Sequence, residues 1–81
     1  MKNTIADWYW AERNRAIKKH GVKNTPANKE MPPEHKLVIV AEEFGEVARA
    51  ITYDEGDPDQ LKKELIQLGT MAFMWALSLV Y

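Results

Sequence analysis

The sequence predicts an all-α protein: a three-helix protomer whose antiparallel helical hairpin is completed into a helical bundle by oligomerisation. Three observations predict it. Apolar residues recur at three- and four-residue steps between Leu37 and Ile51. Proline stands just inside two expected helix starts, at Pro33 and Pro58. The stretch from Leu65 to Tyr81 is apolar on nearly every side, more than two other helices of an 81-residue chain can cover.

The first helix is expected over residues 5 to 19. Thr4 precedes it and Asp7 stands three positions on, a pairing whose hydroxyl and carboxylate satisfy free backbone N–H groups at a helix start. Gly21 supplies the stop. GVKNTPANKEMPP then reads as a long connection, by default loose, otherwise a lid or binding element. The second helix is expected over 33 to 52, with Glu34 favoured at its start by the helix dipole. Its main apolar stripe is Leu37, Val40, Ala41, Phe44, Val47, Ala48 and Ile51. YDEGDPD reads as a turn, with Asp57 as cap and Pro58 as the first residue of a third helix running nearly to Tyr81. That helix carries the stripe Leu61, Leu65, Leu68, Ala72 and Trp75, and the short connection makes it the antiparallel neighbour of the second.

A hydrophobic content of 46% over 81 residues fits one domain spanning the whole chain. A chain this short recruits disulfides, a metal or a second subunit, and cysteine is absent. A homodimer or homotetramer is therefore expected. The missing cysteine and the absence of a signal-peptide core point to the cytoplasm. Gln67, Thr70 and Ser78 interrupt the apolar third helix, so burial by protein is expected rather than a tail anchor or other membrane span. Residues 1 to 36 hold eight Lys/Arg against four Asp/Glu, and residues 37 to 81 hold three against eight. That asymmetry places a basic half beside an acidic one, without the basic run interleaved with aromatics that nucleic-acid binding requires.

AEEFGEVARAI raises the functional question, because it sets three glutamates within an otherwise apolar helix. Glu43 and Glu46 stand off the main stripe, flanked by Ile39 and Ala50, in a second and partly apolar sector. On the third helix Glu64 and Gln67 form another i, i+3 pair of oxygen-bearing side chains. An antiparallel hairpin can bring all four together. Buried carboxylates need protons, basic partners or a cation, and hard oxygen ligands favour Mg²⁺, with Mn²⁺ as substitute. The ordinary alternative is a solvated acidic face, with Glu42 turned towards Arg49. His20 and His35 have no ligand spacing, which argues against zinc.

EEFGEVARAI followed by KKELIQLGTMAFMWAL resembles the MazG-like all-α nucleoside triphosphate pyrophosphohydrolases, whose pattern is ExxE, a spacer, then ExxD. ERNRAIKKHG is similar to the family's first helix. The resemblance implies that Glu43, Glu46 and Glu64 hold Mg²⁺ with Gln67 in the fourth place. It further implies that Glu43 or Glu46 orients a catalytic water, and that a nucleoside triphosphate is cleaved to monophosphate and pyrophosphate. Gln67 departs from the family's Asp and offers a neutral carbonyl in place of a charge. The alternative is accordingly a non-catalytic helical module that binds nucleotide or dimerises. Lys36, Lys62 and Lys63 are candidate phosphate contacts, and Trp8, Tyr9 and Trp10 candidate surfaces for a base; surface and packing roles are the ordinary ones for both sets.

Overall fold

The computed structural model describes residues 4–53 and 56–81. Helix α1 spans Ile5–His20, a 3-10 turn follows at Val22–Asn24, α2 spans Pro33–Thr52 and α3 spans Pro58–Val80. Among the described residues there is no strand, and the fold is all-α.

Local chemistry sets the helix ends. The Thr4 hydroxyl accepts the Asp7 N–H at 3.2 Å while the Asp7 carboxylate accepts the Thr4 N–H at 3.0 Å, a reciprocal cap at the start of α1. Gly21 ends the helix at φ 81°, a left-handed conformation that costs glycine little, and its N–H returns to the Ile17 carbonyl at 2.8 Å. Asp57 caps α3 by accepting the Asp59 N–H at 3.0 Å, and Pro33 and Pro58 open their helices as expected. Asp54 and Glu55 of the expected turn, and the first three residues, lie outside the described residues.

Helix α3 is the shared wall of the protomer. Both α1 and α2 pack on it, whereas α1 and α2 do not pack on each other, so a groove runs between them with α3 as its floor. The core beneath is small, built on Ala16, Met71 and Met74 with Ile17, Ala27, Ile39 and Val40 against them. Around it, Phe73 meets Trp10 edge-on at 5.2 Å between ring centroids and Tyr9 at 6.0 Å.

Tyr9 also lies over Gly69, where an added Cβ would stand 2.5 Å from the phenol oxygen and 2.8 Å from Cζ. Gly69→Ala is therefore expected to push the Tyr9 ring out of its packing between α1 and α3. The overpacking cost of about 1–3 kcal/mol exceeds the roughly 1 kcal/mol that alanine gains over glycine inside a helix. Gly45 in α2 has open space at the same position, so Gly45→Ala should gain the propensity term alone. Thermal melts should move in opposite directions for the two variants.

Two sequence expectations are corrected. The connection after α1 is not loose, because Thr25, Pro26 and Met31 are buried in it. The Thr25 hydroxyl donates to the Val22 carbonyl at 2.9 Å and accepts the Ala27 N–H at 3.3 Å, which satisfies the polar group that burial would otherwise strand. The apolar stripes are also turned. The positions of α2 that face inward are Lys36, Val40, Glu43, Val47 and Ala50, while Leu37, Ala41, Phe44, Ala48 and Ile51 lie exposed. On α3 the inward residues include Glu64, Gln67, Met71 and Met74, while Leu65, Ala72 and Leu79 lie exposed.

Part of each stripe thus stands one residue, or about 100°, off the inward line, while Val40 and Val47 of α2 are buried or partly buried as expected and Leu61, Leu68 and Trp75 of α3 are partly so. In an antiparallel pair, equal turns of this kind carry both stripes to the same side of the hairpin. The result is an exposed apolar patch that includes Leu37, Phe44, Ile51 and Leu65, with Phe44 64% exposed. No helix among the described residues is long and apolar enough to cross a membrane.

Candidate functional site

The groove between α1 and α2 opens into a cavity of about 610 Å³. Its α2 wall contributes Ile39, Glu42 and Glu43, its α3 floor Lys63, Gln67 and Met71, and its α1 wall Glu12, Arg15 and Lys19. Thr25 and Pro26 close one end beside His20 and Asn24. One rim is therefore acidic and the other chiefly basic, as the charge asymmetry between the halves of the chain foreshadows.

Glu43 stands on the inward line of α2, one position off the apolar stripe, so the helix delivers its carboxylate into the protomer. It is half-buried, and its Oε2 is buried without a hydrogen-bond partner. Loss of water pushes its pKa above the ordinary carboxylate value, and the negative charges of Glu64, Glu46, Glu12 and Glu42 push the same way. Glu64 comes from α3 and is only 8% exposed. Its Oε2 accepts the Gln60 side-chain N–H at 2.7 Å, whereas its Oε1 is buried and unpartnered. Two inward carboxylates thus each hold one unsatisfied oxygen, in mutual repulsion. Such an arrangement is costly in itself and is relieved by a proton or a cation.

The four expected oxygen ligands are placed unequally. Glu43 and Gln67 line the cavity; Glu64 lies buried close enough to bear on Glu43; Glu46 is exposed on α2, off the lining but within the same field. Among the described residues no three His, Cys, Asp or Glu side chains converge tightly enough to hold a metal ion on their own.

Other expectations change place. Glu42 faces the cavity rather than Arg49, whose guanidinium instead lies 5.7 Å from the Tyr53 ring centroid. Lys63 lines the cavity as a phosphate contact would. Lys62 sits over the Trp8 ring at 5.2 Å, and neither residue lines the cavity. Lys36 is moved furthest from its expected role: 3% exposed, it donates to the Ser78 hydroxyl at 2.7 Å near the far end of α3.

Sequence reasoning missed the α1 wall. Glu12 binds Arg15 through its Nε at 2.9 and 3.0 Å and through Nη2, the only ion pair among the described residues. That bond, with the charge of Glu43 acting in the same sense, raises the Arg15 pKa and fixes a cation at the groove. The spacing of Glu12, Arg15 and Lys19 on one helical face is the signal that marks this wall. The arrangement offers a divalent cation several carboxylate oxygens and offers an anion three flanking basic groups. No family model, no curated protein and no solved structure matches this chain.

Proposed function

We propose that the protein is a Mg²⁺-dependent nucleoside triphosphate pyrophosphohydrolase, acting in the cytoplasm where its substrate pool resides. The observation that carries this reading is the pair of buried, unpartnered oxygens on Glu43 and Glu64 beside a cavity rimmed by Arg15, Lys19 and Lys63. The MazG-like pattern in α2 and α3 supports it. Glu43, Glu46 and Glu64 would hold the ion, with the Gln67 carbonyl in the fourth place. Because the acids do not converge fully on their own, phosphate oxygens and water complete the shell, as Mg²⁺ commonly requires. Bound there, the ion would neutralise charge developing on the phosphates.

The chain's own residues do the rest. Arg15 and Lys19 on one wall and Lys63 on the floor bind and orient the polyphosphate, which repays the repulsion they would otherwise feel. Glu43 or Glu46 orients the water and accepts its proton at a carboxylate oxygen. The test is incubation of the full chain with canonical and modified nucleoside triphosphates and Mg²⁺, with pyrophosphate as the readout. Absence of product from every substrate, at protein concentrations near that of substrate, would overturn the enzymatic reading.

Gln67 favours one second reading, a nucleotide-binding module without turnover. A neutral carbonyl contributes less to metal binding than a carboxylate. Gln67→Asp is expected to tighten Mg²⁺ binding roughly tenfold, about 1.4 kcal/mol. It should also lower the stability of the metal-free protein by adding a like charge beside Glu43. Titration calorimetry and melts with and without Mg²⁺ check both. Nucleotide-dependent stabilisation without pyrophosphate would select the binding module.

We further propose that a second copy of the chain covers the apolar face of α2 and α3, giving a homodimer or a pair of dimers. Each copy would present the same apolar patch, Leu37, Phe44, Ile51 and Leu65, to the other about a two-fold axis. The small protomer core needs the additional burial.

A further inference from the structure

A second cavity, of about 580 Å³, opens where α1 meets the C-terminal end of α3. It shares no lining residue with the groove. Its walls are aromatic and aliphatic, from Trp10, Phe73, Leu77 and Tyr81, and its charged lining side chains are Arg13 and Lys29, with no acidic side chain among them. That volume lies within the range of small-molecule sites.

Two features there lack their expected partners. The Arg13 guanidinium lies over the Trp10 ring at 5.4 Å from its centroid, and its Nε is buried with no hydrogen-bond acceptor. Behind the wall, the buried Lys36 ammonium meets Ser78, a lining residue, whose hydroxyl passes its own proton to the Trp75 carbonyl at 2.6 Å. The carbonyl end of α3 offsets part of the lysine's charge. No carboxylate among the described residues pairs with it, although burying an uncompensated ammonium costs several kcal/mol.

We propose that this cavity binds a small organic anion with a flat apolar body and a carboxylate head, the head meeting Arg13 and Lys29 within the field of the buried Lys36 charge. Ring faces take the body. Charge-assisted bonds from Arg13 and Lys29 to the head are the feature that separates an acid from its neutral analogue. An apolar neutral molecule would leave the cations unpaired, and a hydrophilic anion would leave the aromatic walls wet.

The probe pair is 2-naphthoate and 2-naphthamide, titrated into the full chain without Mg²⁺ or nucleotide and followed by calorimetry and amide NMR shifts. The expected result is one saturable site, with naphthoate at least roughly tenfold tighter than the amide. Its shifts should be confined to residues around Trp10, Phe73 and Ser78. Lys36→Met and Arg13→Gln should each weaken naphthoate binding roughly fivefold or more while leaving the amide unchanged. If Lys36→Met fails to fold, as judged by circular dichroism, Arg13→Gln carries the test. Absence of saturation, equal binding of acid and amide, or naphthoate binding indifferent to the folded variants would overturn the proposal. Because neither metal nor nucleotide is present, failure of the groove as an enzyme leaves this result unaffected.

Discussion

Glu43→Gln is expected to abolish the proposed pyrophosphate release, by at least about a hundredfold, and at the same time to stabilise the metal-free protein. The two effects have one cause. In the folded chain the Glu43 carboxyl titrates above its ordinary value, because it is half-buried and faces Glu64, Glu46, Glu12 and Glu42. A carboxyl whose pKa is higher in the folded than in the unfolded state opposes folding once it is ionised. Below the unfolded value it contributes nothing either way. As pH rises from the ordinary carboxylate range through the raised folded pKa, stability is progressively lost, and above it the penalty is complete. Glutamine keeps the shape and removes the charge, so at pH 7 the variant escapes the penalty.

For a half-buried group screened by solvent the gain is about 0.5–1 kcal/mol, a rise of roughly 2–8 °C in the melting temperature of a domain this size. Mg²⁺ should act on the wild type in the same direction, raising its melting point by an amount that grows with concentration, and should do little to the variant. Melts at pH 4.5 and pH 7, each with and without Mg²⁺, test the linkage. The gap between variant and wild type should close at the lower pH. A variant that loses activity but melts lower than the wild type at pH 7 would show that Glu43 is structural rather than poised for a cation.

What was legible in the sequence was the chemistry that acts over a few residues. Thr4 with Asp7, Gly21, Pro33 and the Asp57–Pro58 pair fix the helix ends through bonds to adjacent backbone, so each boundary falls within a residue of its expected place. The glutamates were legible as a departure from apolar periodicity, and Glu43 and Glu64 do come together. The rotation of the helices was not legible. A 3.6-residue period reveals that α2 carries one strong stripe and one mixed stripe, but it is silent on which of them meets its own chain. Leu37, Phe44 and Ile51 of the strong stripe face out, while its Val40 and Val47 face in beside Lys36 and Glu43. Thr25 and Pro26 were missed because polar, proline-containing segments read as loop; local bonds from Thr25 make their burial possible. The spacing within α1 puts Arg15 and Lys19 on one face with Glu12, but they join the site only because α3 holds α1 across a groove from α2.

The outward stripe leads to the other large effect. Phe44→Glu is expected to split the assembly to single chains, at least a hundredfold weaker in association. Phe44 is 64% exposed in the protomer, so the substitution removes little from its own core. In an assembly that covers this face, burying the ring contributes about 1.5–3 kcal/mol, and an ionised carboxylate in its place adds an unpaired charge worth several kcal/mol more. A loss above about 3 kcal/mol is already more than a hundredfold in dissociation constant. Around Phe44 the face offers Leu37, Ile51 and Leu65, all exposed, so the damage falls in the middle of the contact rather than at a wet rim. Sedimentation equilibrium should give the mass of one chain for Phe44→Glu and a multiple of it for the wild type, with Lys18→Glu on exposed α1 as the charge-change control. The acids bear on this contact too, since Glu43 and Glu64 lie on the inward lines one residue from the two outward stripes. On the proposed reading, an assembly that locks α2 against α3 would steady their unpartnered oxygens for a cation. The Phe44→Glu chain should therefore also bind Mg²⁺ more weakly, although no residue of the groove has been changed. Mg²⁺ affinity unchanged by dissociation would place the whole site within one protomer.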